Sequence, residues 1–130
     1  MNRSNLVLTC IGDLGAWLHE EQPAWARDLV RIVRGHINRA GFLRLLRADG
    51  ESRSLGFLLY EQARRPFPPH FHFVVTDPEH RRKGVATALK NRMLLDMPER
   101  PIHTTPLSEE GRLTLEKWGF TPRGFDWALY

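Results

Sequence analysis

The stretch VTDPEHRRKGVA, residues 75–86, decides how this sequence folds. A strand-forming run ends there, a turn with a proline follows, and Arg-Arg-Lys-Gly-Val-Ala leads directly into a segment of helical periodicity. Successive backbone N–H groups at such a strand–turn–helix junction form an anion-binding nest, and the helix N-terminus adds its dipole. The stretch therefore predicts a turn that binds pyrophosphate.

The residue types within the turn support this prediction. Gly84 has no side chain, so a phosphate can approach the backbone closely, and Ala86 is small. Arg81, Arg82 and Lys83 bring positive charge. The turn is neither a Walker loop, which needs Gly-Lys-Ser/Thr, nor the Gly-x-Gly-x-x-Gly of dinucleotide-binding folds. The alternative interpretation is a solvated basic helix start.

Outward from the turn, hydrophobic periodicity and turn residues define the other elements. Strands are predicted over residues 5–11, 42–48, 55–62, 70–76, 101–105, 120–122 and 125–130. Helices are predicted over residues 13–20, 23–40, 84–97 and 108–119. The second helix is expected to bury Trp25, Leu29, Ile32, Val33 and Ile37. The order β-α-α-β-β-β-α-β-α-β-β predicts one α/β domain, residues 1–130, with helices on the faces of a mixed sheet.

Composition excludes several classes of protein. Of the 130 residues, 42% are hydrophobic and 26% are charged, which argues against disorder, and no apolar run is long enough to span a membrane. The single cysteine, Cys10, excludes an internal disulfide and a cysteine-based zinc cluster, fits a cytoplasmic setting and is expected to be buried. The net charge of +4 is mild for a nucleic-acid binder, so we expect neither a nucleic-acid nor a membrane partner.

Two motifs resemble those of a known family. Residues 81–86, Arg-x-x-Gly-x-Ala, after Asp-Pro-Glu and a hydrophobic strand, resemble the acetyl-coenzyme A motif of the GCN5-related N-acetyltransferases (GNAT). Residues 115–120, LEKWGF, resemble the family's second signature, usually Tyr-Glu-Lys-x-Gly-Phe. The element order matches the family over nearly the whole chain. The resemblance implies a GNAT-like α/β fold: a mixed, mostly antiparallel central sheet of six to seven strands, flanked by about four helices.

The resemblance also implies which residues bind acetyl-coenzyme A (acetyl-CoA). The turn would hold the pyrophosphate through its backbone, and the preceding strand would pair with the pantetheine amides. In the family that strand splays from its neighbour, often at a bulge, and the coenzyme wedges into the gap. The implied contacts are Val74, Val75, Thr76, Arg81, Arg82, Lys83, Gly84, Val85, Ala86 and, at a position where many members have Asn, Ser108.

The catalytic positions depart from the family pattern. The usual general acid, a tyrosine on the last helix, is replaced by Leu115, which cannot donate a proton. Where histone-type members have a strand glutamate, this chain has His70, and His72 is expected on the same strand face. Either imidazole is a candidate general base, and the alternative is a pair of surface histidines. Tyr60 and Tyr130 are alternative acids, although Tyr60 is expected to pack.

The sequence therefore predicts an N-acetyltransferase that uses acetyl-CoA as cosubstrate, with direct attack by a primary amine in a ternary complex. The alternative is a GNAT-fold protein that binds coenzyme A or a macromolecular partner with little or no catalysis. A metal site at His70 and His72, with His80 or His103 as a third ligand, lacks a supporting carboxylate or cysteine, so no metal is expected. The amine acceptor is not readable, and a monomer or a homodimer fits equally.

Overall fold

The structure is a computed structural model that describes residues 6–130. Its strands are β1 (Val7–Cys10), β2 (Leu43–Asp49), β3 (Ser54–Glu61), β4 (His70–Thr76), β5 (Ile102–Thr104), β6 (Thr121–Arg123) and β7 (Asp126–Leu129). Its α-helices are α1 (Leu14–His19), α2 (Arg27–Gly35), α3 (Val85–Asp96) and α4 (Glu109–Lys117). The predicted element order is confirmed; residue 5 of the first predicted strand lies outside the described residues.

The strands form one sheet in the order β1-β2-β3-β4-β5-β7-β6. All neighbouring strands are antiparallel except β4 and β5, which are parallel. The described residues thus form a mostly antiparallel seven-stranded sheet with four α-helices, as predicted. None of the helices among these residues is long and apolar enough to cross a membrane.

Each face of the sheet carries its own hydrophobic core. Helices α1 and α2 cover one face, where the fully buried side chains include Trp17, Leu29, Leu45 and Phe57. Helices α3 and α4 cover the other, with Leu58, Leu89, Met93 and Leu115. Because both faces are packed, the chemistry of the molecule is confined to the ends of strands and to gaps between them.

Strand β4 contains a β-bulge. Leu59 of β3 lies opposite Phe73, but Tyr60 lies opposite Phe71, so His72 is the extra residue. Regular alternation along residues 70–76 would place Phe71 and Phe73 on one face, but this expectation is wrong: Phe71 packs on the α3–α4 side and Phe73 on the α1–α2 side. The extra residue shifts the alternation of the strand by one position.

Strands β4 and β5 separate along their length. Their only paired residues are His70 and His103, among the residues that the structure describes. Beyond this rung, the Thr104 hydroxyl donates a 2.7 Å hydrogen bond to the Phe71 carbonyl. The later residues of β4 have no partner in β5, so the two strands form a wedge with its apex at His70.

Two expectations at the edges of the fold are wrong. The predicted second helix is divided into a 3-10 turn (Ala24–Ala26), helix α2 and a further 3-10 turn (Ile37–Arg39), so Ile37 is 37% exposed instead of buried. Cys10 is exposed as well, because β1 is an edge strand.

Candidate active site

The turn between β4 and α3, residues 77–84, is called the phosphate turn here. Its first residue, Asp77, fixes its shape: the backbone N–H donates to the Leu55 carbonyl, and the buried carboxylate accepts from the Glu79 N–H at 2.9 Å. Arg53 lies 3.0 Å from the Asp77 carboxylate and 2.8 Å from that of Glu79. The phosphate turn is therefore attached to the start of β3 by a backbone hydrogen bond and to Arg53, just before β3, by two ion pairs.

The backbone of the phosphate turn is left-handed at two positions. Arg82 has φ of 65° and Gly84 has φ of 84°. Gly84 is the N-cap of α3, and no side chain caps the helix. This conformation costs a residue with a Cβ about 1–2 kcal/mol, which explains the glycine. Turn conformations of this kind can point successive backbone N–H groups to one side.

These N–H groups lack protein acceptors. Within residues 6–130, no carbonyl or side chain accepts from the amides of residues 84–87, and the first backbone bond of this helix start is Ala88 to Gly84. Arg81, Arg82 and Lys83 have exposed side chains. Four unpartnered donors with exposed cations beside them fit a pyrophosphate.

Helix α3 starts close to the sheet because β3 has a glycine there. A Cβ on Gly56 would lie 2.8 Å from Val85 Cγ1 and 3.1 Å from the Val75 carbonyl oxygen. Only glycine allows this approach without a shift. Gly56 is a site-building residue that sequence reasoning missed, and a glycine inside an apolar strand pattern is the signal that could have found it.

Strand β4 runs from the phosphate turn to the apex of the wedge. Val74 packs on the α3–α4 side and Val75 on the α1–α2 side, while the edge of residues 74–76 that faces β5 has no strand partner. An unpaired strand edge offers backbone donors and acceptors to an extended ligand.

Ser108 has a structural role. Its hydroxyl accepts from the Gly111 N–H at 3.0 Å and caps α4. The Arg81 guanidinium lies 3.9 Å from the Glu110 carboxylate, so the start of α4 reaches the phosphate turn. Because Ser108 precedes this end of α4, it stays a candidate contact for the coenzyme.

At the apex of the wedge, side chains from several elements form what we call the histidine face: His36, His70, His72 and His103, with the carboxylates Glu61 and Asp126. The rings of His70 and His72 are 4.5 Å apart between centroids, and those of His36 and His72 are 4.7 Å apart. His70 and His72 share one face, as predicted, because the bulge follows His70.

Glu61 organises the histidine face. His72 Nε2–H donates to the Glu61 carboxylate at 2.9 Å, and Arg39 lies 3.5 Å from the same oxygen. Burial acts to raise the pKa of Glu61, but the hydrogen bond from His72 and the charge of Arg39 together lower it below its usual range. Glu61 therefore stays ionised and fixes the tautomer of His72.

Burial keeps both strand histidines neutral. Desolvation, reinforced by the neighbouring His72, lowers the pKa of His70 to about 4. Desolvation also lowers the pKa of His72, although its hydrogen bond to Glu61 opposes this. At neutral pH both imidazoles carry a free lone pair.

Glu61 and Asp126 were missed by sequence reasoning, which looked for an acid on β4 itself. The signal for Glu61 was available: it is the antiparallel partner of His70 across the β3–β4 pair. Asp126 is brought to the apex by β7, which pairs with β5, and its carboxylate lies 3.8 Å from His103 Nδ1.

The tyrosines lie away from this face. Tyr60 is buried on the α3–α4 side, where its hydroxyl donates to Asp96 at 2.9 Å, and burial and this bond raise its pKa. It packs, as expected, and is not an acid for this site. Tyr130 is exposed, with Arg123 over its ring. Leu115 is 2% exposed in the α3–α4 core.

His80 does not join the histidine face, whereas His103 does. His80 lies at the other end of β4. There, a ring nitrogen of His80 and carboxylate oxygens of Asp77 and Glu79, all atoms that could coordinate a metal, lie within 4.8 Å of one another. Arg53 forms ion pairs with both carboxylates, so the protein supplies the positive charge there.

The second motif closes helix α4. Gly119, with φ of 89°, follows the helix, and the Phe120 N–H donates back to the Leu115 carbonyl at 3.0 Å. Trp118 packs on Phe71, with ring centroids 5.4 Å apart. The motif therefore supports the core beneath β4.

No family model matches the sequence, and no curated protein sequence matches it. Solved structures do resemble the fold. A protein assigned to the GNAT family from Desulfovibrio desulfuricans superimposes with a TM-score of 0.69 over 95% of this chain and 98% of its own, at 15% identity.

Two further structures are complexes. One of the KacTA–DNA complex gives a TM-score of 0.68 at 14% identity, over 95% of this chain and 92% of the other. One of AtaTR bound with acetyl-CoA gives 0.63 at 16% identity, over 97% and 93%. The chain thus has the fold of the GNAT acetyltransferases, which confirms the resemblance inferred from its motifs at the level of the fold.

Proposed function

We propose that this chain is an N-acetyltransferase that transfers the acetyl group of acetyl-CoA to a primary amine of a protein or small molecule. The observation that carries the proposal is the run of unpartnered amides at residues 84–87, after a turn with two left-handed residues that follows a splayed strand. Acetyl-CoA, when bound, supplies an acyl group activated as a thioester. The reaction is placed in the cytoplasm, the reducing compartment that suits a chain with a single cysteine.

In this proposal, β4 and the phosphate turn after it bind different parts of acetyl-CoA. The backbone of residues 82–86, with Arg81 beside it, holds the pyrophosphate, while the unpaired edge of residues 74–76 holds the pantetheine amides. This placement directs the acyl group to the apex of the wedge. A pyrophosphate that binds at the start of α3 and an acyl group at His70 span the length of the strand.

The histidine face takes the proton of the amine. His70 or His72 accepts it, since each neutral imidazole has a free lone pair, and the Glu61 carboxylate, bonded to His72 at 2.9 Å, stabilises the positive charge. The only cysteine of the chain lies on β1, three strands from β4, so the amine itself is the nucleophile. Holding donor and amine together supplies much of the rate.

A second candidate function is binding of coenzyme A, or of a macromolecular partner, with little turnover. Leu115 favours it, because the family's tyrosine acid is replaced by a buried aliphatic side chain. Two of the structural neighbours are complexes, one that contains DNA and one bound with acetyl-CoA, which supports a search for both kinds of ligand.

Two measurements on the whole chain test the proposal. Isothermal calorimetry with acetyl-CoA is expected to show binding at micromolar to millimolar concentration. Thiol release is then followed with acetyl-CoA and a panel of polyamines, amino acids and peptides with free N-termini. Release that depends on an amine supports the enzyme; binding without release from any amine supports the second function; no binding at millimolar acetyl-CoA contradicts both.

A further inference from the structure

The apex of the wedge holds two imidazoles that no hydrogen bond engages. Within the described chain, His36 Nδ1 donates to the Ile32 carbonyl and His72 Nε2 to Glu61, but the rings of His70 and His103 have no hydrogen-bond partner. They face each other across the single β4–β5 rung. Parallel partners in register project to the same side of a sheet, so both imidazoles flank the end of the wedge.

Asp126 lies next to His103. The Asp126 carboxylate lies 3.8 Å from His103 Nδ1. The hydroxyl of Thr105, the residue after β5, donates to the same carboxylate at 3.4 Å. The side chain of His103 is 22% exposed, so it is partly accessible to solvent. The groups that face His103 are therefore a neutral imidazole on β4 and a carboxylate on β7.

Building on the proposed function, we propose that His103, oriented by Asp126, protonates the departing sulfur of coenzyme A. The step uses the doubly protonated form of His103, whose charge the nearby Asp126 carboxylate would balance. The amine nitrogen bonds to the carbonyl carbon and gives a proton to His70. The carbon–sulfur bond then breaks with its electron pair on sulfur, and the Nε2 proton of His103 moves to that sulfur.

The two imidazoles complete a proton cycle. After acyl transfer His70 holds the extra proton and His103 lacks one, and the rung between their strands places them side by side. Proton exchange with solvent water restores both imidazoles. His103 is thus a catalytic residue in this proposal, and Asp126 is a positioning residue.

The first test is turnover with acetyl-CoA and the amine of the panel that releases thiol fastest. We expect His103→Ala and His103→Gln to lower kcat about 10- to 100-fold, up to the lower end of the usual range for loss of a general acid, because a thiolate is a tolerable leaving group. Asp126→Asn should lower it less, in the same direction, with KM for acetyl-CoA unchanged. His19→Ala, an exposed histidine on α1, is the matched control and should keep full activity.

The second test needs no turnover. Free coenzyme A is bound to each variant, and the ultraviolet absorbance of its thiolate is followed against pH. An imidazolium beside a thiol favours the thiolate, so the bound thiol should ionise at lower pH in the natural chain and in His19→Ala than in His103→Ala.

The outcomes separate this inference from the proposed function. Equal kcat and equal thiol ionisation in the natural chain and His103→Ala overturn the role of His103 and leave the acetyltransferase intact. If the natural chain binds acetyl-CoA but acetylates nothing, the enzyme proposal fails, and this step fails with it. Calorimetry with coenzyme A on every variant shows that each one is folded and loaded.

Discussion

The phosphate turn and the histidine face lie at opposite ends of strand β4, and they differ in the groups that they present. The turn is one contiguous segment whose working groups are backbone amides, held by two left-handed residues and by Asp77. The histidine face is assembled from side chains of β3, β4, β5 and β7 and of His36, which follows α2. The comparison teaches that binding and chemistry on this fold depend on separate parts of the sequence, so each can be removed without the other.

The largest expected effect removes binding alone. Gly84→Glu places a side chain at φ of 84° and a carboxylate among the free amides, so acetyl-CoA affinity should fall at least about 100-fold. The histidine face should be unchanged, because it lies at the other end of β4. Calorimetry measures the loss, and histidine NMR resonances report on the face.

Gly124→Glu is the matched control for this change. Gly124 has φ of 63°, and no atom lies within 4 Å of the position that an added Cβ would take, so it bears the same backbone cost on an open surface. Its acetyl-CoA affinity should match that of the natural chain. Equal affinity in a folded Gly84→Glu variant would show that the coenzyme binds elsewhere.

The two regions also differ in what the sequence revealed. The turn could be predicted because its signals are local: a proline, a basic run and a glycine within ten residues or so of one strand end. The face required long-range information. Glu61 reaches His72 only through the β3–β4 register, and the bulge that sets the faces of His72 and Phe73 has no glycine or proline to mark it.

The fold itself was largely predictable, since the signals for helix caps and for the β2–β3 hairpin are also local in the sequence. Asp13 and Ser108 cap α1 and α4 as their positions suggest. The end of the second helix was not predictable, because Ile37 continues the apolar spacing of α2 although the chain has already left the helix.

The next largest effect removes chemistry alone. His70→Ala should lower kcat about 10- to 1000-fold and leave acetyl-CoA affinity nearly unchanged, the usual scale for a lost general base. Burial lowers the pKa of His70 to about 4, so its neutral form is complete above about pH 5 and its titration limits the natural enzyme only in acid. Activity of the variant should partly return at high pH, where more of the amine is already neutral.

His19→Ala again serves as control, because His72 is engaged by Glu61 and its loss disturbs the strand as well. Full activity of His70→Ala across the pH range would assign the base to water or to another residue. A loss equal in His70→Ala and His72→Ala, with a lower melting temperature in both, would favour a packing role for the pair.

The smallest expected effect comes from a substitution at Gly56, which sets the distance between the phosphate turn and the sheet. Gly56 lies under the first turn of α3, and a Cβ there would meet Val85 Cγ1 at 2.8 Å and the Val75 carbonyl oxygen at 3.1 Å. The side chain can shift but the strand carbonyl cannot, so Gly56→Ala should push the helix start outward. Overpacking of this kind lowers the free energy of unfolding by about 1–3 kcal/mol.

Because the amides of residues 84–87 move with that helix start, acetyl-CoA affinity should also fall, by about 3- to 10-fold, while the histidine signals stay in place. Gly35→Ala is the control: no atom lies within 4 Å of its added Cβ, and alanine at a helix end is neutral or stabilising. In a double-mutant cycle, Val85→Ala should recover part of both losses, since it removes the nearer contact. Normal stability and normal affinity in Gly56→Ala would mean that this contact does not set the position of the phosphate turn, and that the turn keeps its shape through Asp77 and Arg53 alone.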